Sequence, residues 1–86
     1  MNGRYIEVLR KNRNISREEL GKLTGYKDGK NIAAIEKGKR TIPDEKLLVF
    51  AKALNVPITL MVEMKIEEYK LKLEEKIYET IVRSNG

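Results

Sequence analysis

The stretch that most restricts what this chain can fold into runs from Ile15 to Arg40. Ser16 and Glu19 stand three residues apart in the order Ser-x-x-Glu. A serine hydroxyl there accepts from a free amide of the first helical turn, and the glutamate reaches back to the serine's own amide. Ile15 and Leu20 fall where a hydrophobic staple would pair them. These signals predict a helix that starts after Ser16. Leu20 and Leu23 give it one apolar edge, and Gly21 leaves room for another helix to cross closely. Gly25 ends it as a left-handed residue just past the last turn. A second short helix follows. Asp28 is placed to cap it, with Gly29, Lys30 and Asn31 in its first turn. Ile32 and Ile35 share a face, Ala33 and Ala34 point away from that face, and Gly38 marks the stop among Lys37, Lys39 and Arg40.

The remaining elements can be read around this pair. Gly3 to Lys11 forms a first helix: Tyr5, Ile6 and Leu9 share a face with Val8 at its flank, and Arg4, Glu7, Arg10 and Lys11 fill the other side. Asn12-Arg13-Asn14 is a polar break. Thr41-Ile42-Pro43-Asp44 opens a fourth helix, since proline is tolerated in a first turn and acids suit the dipole there. Leu47, Leu48, Phe50, Ala51 and Leu54 give it a broad apolar face, and Asn55 ends it. Ile58, Leu60, Val62 and Met64 alternate with Thr59, Met61 and Glu63, which fits a strand or a short buried helix. Helix is favoured, because no second strand is evident to pair with it.

Lys65 to Arg83 is the longest helical pattern. Ile66, Tyr69, Leu73, Ile77 and Ile81 form one apolar stripe, and Met64, Leu71, Tyr78 and Val82 form another. One stripe suffices to close a core, and two exceed what a terminal helix on a small domain needs. The surplus predicts a dimer or partner interface on Leu71, Tyr78 and Val82; the alternative is a helix that buries a wide face in its own monomer. Ser84-Asn85-Gly86 reads as a frayed end.

Composition narrows the function. At 86 residues the chain suits one small core. It has no cysteine and no histidine, which removes disulfides, thiolate metal sites and the commonest general base and zinc ligand. Its two serines are Ser16, used as a cap, and Ser84, near the end; its acids are scattered over polar faces. No enzyme activity, metal or cofactor is expected. No apolar run approaches spanning length and Met1-Asn-Gly-Arg does not open a signal peptide, so a cytoplasmic location without membrane contact is expected. Residues 1–42 hold eleven Lys/Arg against five Asp/Glu, a net of +6, while residues 43–86 hold seven against eight, a net of −1. A basic half that coincides with the two-helix unit points to a polyanion.

From Ile6 to about Met61 the chain resembles the lambda-repressor-like, Cro-type helix-turn-helix DNA-binding family. The matching pieces are Leu9-Arg10-Lys11, Ile15-Ser-Arg-Glu-Glu-Leu20, Gly25, Ile32-Ala-Ala-Ile-Glu-Lys-Gly-Lys-Arg40 and Leu47 through Val56. The resemblance implies an all-α fold with a five-helix DNA-binding domain over residues 1–62; the C-terminal helix over 63–86 lies outside the resemblance and is expected, from its two stripes, to serve dimerisation or partner binding. It places the third helix, about Gly29 to Lys37, in the major groove of double-stranded DNA. Base contacts then fall on Lys27, Asp28, Lys30, Asn31 and Ala34, with Ala33 beside them. Asp28 keeps two readings, helix cap or acceptor for a cytosine amino group. Phosphate contacts fall on Ser16 and Arg17 at the start of the second helix, and on Lys37, Lys39, Arg40 and Thr41 after the third. Arg10 and Arg13 would be outer contacts. The implied function is a transcriptional regulator, a repressor, acting as a homodimer on a palindromic operator. The alternative is an antitoxin-type module whose C-terminal helix holds a partner protein. Three positions depart from the family: the turn from Gly25 to Ile32 is one residue longer than the commonest form, Arg17 stands where glutamine is frequent, and Gly21 stands where alanine is usual.

Overall fold

The structure, a computed structural model, describes residues 3–85; Met1 and Asn2, on which the reading of the chain's start partly rests, and Gly86 lie outside them. All described elements are helical: α1 (Gly3–Asn12), α2 (Arg17–Leu23), α3 (Lys30–Glu36), a 3₁₀ turn (Asp44–Lys46), α4 (Leu47–Leu54) and α5 (Ile58–Asn85). The five-helix expectation holds. The ambiguous segment Ile58–Met64 is helical and runs without a break into the pattern beyond it. The long C-terminal helix is therefore an extension of the fifth helix, and the expected limit at residues 62 and 63 falls inside it.

Local signals explain the ends. Ser16 caps α2: its hydroxyl accepts from the Glu19 amide at 3.0 Å, and the Glu19 carboxylate accepts from the Ser16 amide at 3.5 Å. Gly25 follows α2 at φ +90° as expected. α3 closes in a Schellman motif, in which Lys39 N–H donates to Ala34 O (2.9 Å) and Gly38 N–H to Ile35 O (3.0 Å). That closure needs a left-handed residue, and Gly38 supplies it at φ +76°. Asn55 ends α4 in the same region, at φ 57°. Two starts differ from expectation. Pro43 precedes a 3₁₀ turn, so the fourth helix becomes α-helical only at Leu47. Gly29 holds the cap position of α3, and Asp28 acts one residue earlier.

One core joins all five helices. Ile6 of α1, Leu20 of α2, Ile32 and Ile35 of α3, Phe50 and Leu54 of α4 and Met61 of α5 are buried together. Phe50 is fully buried at its centre. Truncating such a ring costs about 3–5 kcal/mol, so α4 serves as the floor on which the two-helix unit rests.

α5 outruns this core. The other helices have only 7–10 residues, whereas α5 has 28. At 1.5 Å per residue it is about 42 Å long, which accounts for most of the 49 Å long axis. Every residue from Tyr69 to Ser84 is exposed. The expectation that one stripe closes the core is corrected: Met61 and half-buried Met64 do that, and both stripes beyond them face solvent. Ser84 and Asn85 are helical rather than frayed.

Candidate nucleic-acid interface

The turn between α2 and α3, residues 24–29, is folded back onto α2. Tyr26 N–H donates to Gly21 O at 2.8 Å. A Cβ on Gly21 would stand 2.1 Å from the Asp28 carbonyl oxygen, so the turn crosses α2 where only glycine leaves space. Buried Thr24 donates its hydroxyl to Leu20 O at 2.7 Å. From the 3₁₀ turn, the Lys46 ammonium donates to Thr24 O at 2.7 Å and lies 4.6 Å from the centre of the Tyr26 ring. Asp28 closes the turn by accepting from the Lys30 amide at 2.9 Å. Its carboxylate thus braces the start of α3 from one residue before the cap position, which Gly29 holds.

A buried ion cluster fixes how α3 sits. Glu36 accepts from Arg10 Nε at 2.7 Å and from Arg17 Nε at 2.9 Å, with Arg10 Nη2 at 3.4 Å. Arg10 also donates from Nη1 to Ile15 O at 2.9 Å, tying in the loop between α1 and α2. The Glu36 side chain is 2% exposed and that of Arg10 9%, against 41% for Arg17. Burial pushes the Glu36 carboxyl up, but the hydrogen bonds and charges of Arg10 and Arg17 more than offset this and hold its pKa below the usual value. The assignment of Arg10 to the polar side of the first helix, as an outer phosphate contact, is corrected: it is buried beneath the surface. A signal was present. Arg10 lies four residues after Ile6 and Glu36 four after Ile32, so each continues a buried helical face.

The other candidates surround this cluster. Ser16, Arg17, Asp28, Lys30 and Ala33 line one shallow groove between the starts of α2 and α3. Glu7 and Glu18 line it too; Glu7 lies 3.8 Å from Arg17, and Glu18 lies 3.6 Å from Lys22. Lys27 and Lys30 are exposed, while Asn31 and Ala34 are half-buried. Asn31 Oδ1 accepts from Arg40 Nη1 at 2.6 Å, so the loop after α3 reaches back to its first turn. Lys37, Lys39, Arg40 and Thr41 are exposed around the Gly38 stop. Leu71, Tyr78 and Val82 are outside this surface, on the exposed length of α5. Arg13 is exposed in the turn that follows α1. Sequence reasoning missed Thr24, whose hydroxyl bonds back one turn to Leu20 O, and Lys46, whose bond to Thr24 O joins two elements.

Among the described residues no cluster of acids could hold a metal ion, and no helix is long and apolar enough to cross a membrane. No curated protein and no solved structure matches the chain. The family model described as Helix-turn-helix matches residues 6–61, which spans α1 to the first turn of α5 and includes the whole α2–turn–α3 unit. By that match and by this arrangement of helices, the chain belongs to the lambda-repressor-like helix-turn-helix family, a family of DNA-binding regulators.

Proposed function

We propose that the chain is a sequence-specific transcriptional repressor that binds a palindromic operator as a homodimer. The observation that carries this reading is the groove shared by the starts of α2 and α3, set in the half of the chain with net charge +6. Residues 1–62 form the DNA-binding domain and 63–86 the dimerising helix. α3 enters the major groove with Lys27, Lys30, Asn31 and Ala34 toward the bases. Asp28 spends one oxygen on the Lys30 amide, so its part is to set the edge rather than to read with it. Ser16, the free face of Arg17, Lys37, Lys39, Arg40 and Thr41 meet phosphates on either side. Two copies on a two-fold axis place their recognition helices about 34 Å apart. The protein works in the cytoplasm.

The test is selection from random duplexes with the full chain, repeated at two salt concentrations. Enriched sequences should show symmetric half-sites, and affinity should fall steeply with salt as counterions are released. Asn31→Ala should cost about 1–3 kcal/mol and relax preference at one position. Absence of any enriched sequence refutes the reading. A second reading, an antitoxin-type module, is favoured by the exposure of Leu71, Tyr78 and Val82; it requires a partner protein on that stripe.

A further inference from the structure

The exposed length of α5 carries more information than its hydrophobicity. At 3.6 residues per turn its two apolar stripes lie roughly 140° apart. The stripe of Ile66, Tyr69, Leu73, Ile77 and Ile81 is on the side away from Met61, which faces the core. Its residues recur at intervals of three and four. Three successive intervals of four, from Tyr69 to Ile81, exceed the 3.6-residue turn, so the stripe drifts by roughly a third of a turn and forms one broad face.

The charges beside it are sorted by sign. Along one edge lie Glu63, Glu67 and Glu74; along the other lie Lys72, Lys76 and Arg83, with Glu79 at the outer margin; Lys70 falls within the stripe, between the directions of Ile77 and Ile81. All are exposed. When two copies of a helix pair in parallel, each edge meets the opposite edge of its partner. When they pair antiparallel, each edge meets its own kind. Parallel pairing sets Glu74 level with the partner's Lys72 and Lys76, whereas antiparallel pairing sets lysine edge against lysine edge and acid edge against acid edge. The other stripe is different. Leu71, Tyr78 and Val82 have Glu67 and Glu74 on one side and Glu68 and Glu75 on the other. Self-pairing there opposes acids in either direction.

We infer that the stripe from Ile66 to Ile81 seats a second copy of this chain, in parallel, with the Leu71–Val82 stripe left facing outward. This deepens the homodimer part of the proposed function and rests on it. In a parallel pair both core domains sit at the same end, each on the outer side of its own α5, because Met61 faces away from the seam. The stripe turned outward is apolar between two acidic edges.

The chain has no cysteine, so single cysteines report the geometry without background. Ile66→Cys, Leu73→Cys and Ile81→Cys are made one at a time in the full chain, with Leu71→Cys and Val82→Cys for comparison, then mildly oxidised and run without reductant. Parallel pairing on this stripe requires all three of the first set to cross-link to themselves and neither of the second. Self-linkage at Leu73→Cys alone, with Ile66→Cys linking only to Ile81→Cys in a mixture, means antiparallel pairing and overturns the inference. Linkage through Leu71→Cys or Val82→Cys alone overturns it too, while the homodimer stands. A wild-type protein that sediments as a monomer at every concentration, with no linkage, removes the homodimer and the inference together; sequence-specific DNA binding is then judged separately by duplex selection.

Discussion

Glu36 is the charged residue on which three helices converge. It is the acid between two arginines, and the three come from α3, α1 and α2. In Glu36→Ala the guanidinium of Arg10, nearly buried, keeps only the Ile15 carbonyl. Removing one partner of a buried pair costs about 3–5 kcal/mol, most of it the uncompensated charge left behind. Arg17 is 41% exposed and turns to solvent, so its share is no more than ~1 kcal/mol. The lower figure, about 3 kcal/mol, is therefore expected for Glu36→Ala. In a domain of this size that lowers Tm by about 12–24 °C, at roughly 4–8 °C per kcal/mol. Scanning calorimetry on wild type, Glu36→Ala, Arg17→Ala and the pair Arg10→Met with Glu36→Met checks this. The pair should lose less than Glu36→Ala alone, because no charge is left unmatched. A loss below about 0.5 kcal/mol for Glu36→Ala, within the range of an ordinary surface change, would refute the buried-cluster reasoning.

Three further outcomes follow from the same contacts. Glu36 has its pKa lowered by folding, so its contribution is complete above the ordinary carboxylate value of about 4.5 and is lost as pH falls below it; acid titration of stability should show a shallower slope in that window for Glu36→Gln than for wild type. Gly21→Ala gains up to about 1 kcal/mol in helix propensity but forces a methyl onto the Asp28 carbonyl, at about 1–3 kcal/mol; urea unfolding should show a net loss, and a net gain would show that the turn does not bear on α2. Arg40→Ala and Asn31→Ala, measured singly and together by DNA binding, should be coupled by about 0.5–3 kcal/mol, since Arg40 holds Asn31 Oδ1; strict additivity would mean that this bond is not kept on DNA.

What the sequence makes legible is what neighbours along the chain decide. The Ser16–Glu19 box, the left-handed residues Gly25, Gly38 and Asn55 and the apolar face of α3 depend on residues within one or two turns, and each is where it was expected; the face of α4 is narrower than expected, because Leu48 is exposed. The Arg10–Glu36–Arg17 cluster was not legible in the same way. It joins residues 26 and 19 positions apart, and arginine on an amphipathic helix is ordinarily read as solvated. The length of α5 misled for a related reason. Periodicity identifies an apolar stripe but not whether a domain is long enough to reach it, and here the core ends within two turns of the helix start. At the interface, pattern gave the elements, while the pairing of Asn31 with Arg40 depended on a loop folding back over nine residues.

The turn and the glycine at position 21 make sense together. A turn between two packed helices bows outward or inward. Outward, it would leave the backbone amide of Tyr26 without Gly21 O and lift the start of α3 away from Ser16 and Arg17. Inward, it brings the Asp28 carbonyl to where a side chain on α2 would stand. The chain takes the inward course: Tyr26 keeps its bond to Gly21, Lys46 reaches in to hold Thr24 O and cover the Tyr26 ring, and position 21 carries no Cβ. The glycine at position 21 is therefore what allows the turn to lie flat on α2. The consequence reaches the reading edge. Lys30 begins α3 in the groove it shares with Arg17, and the place of the proposed base contacts rests on the backbone contact at Gly21 as much as on their own side chains.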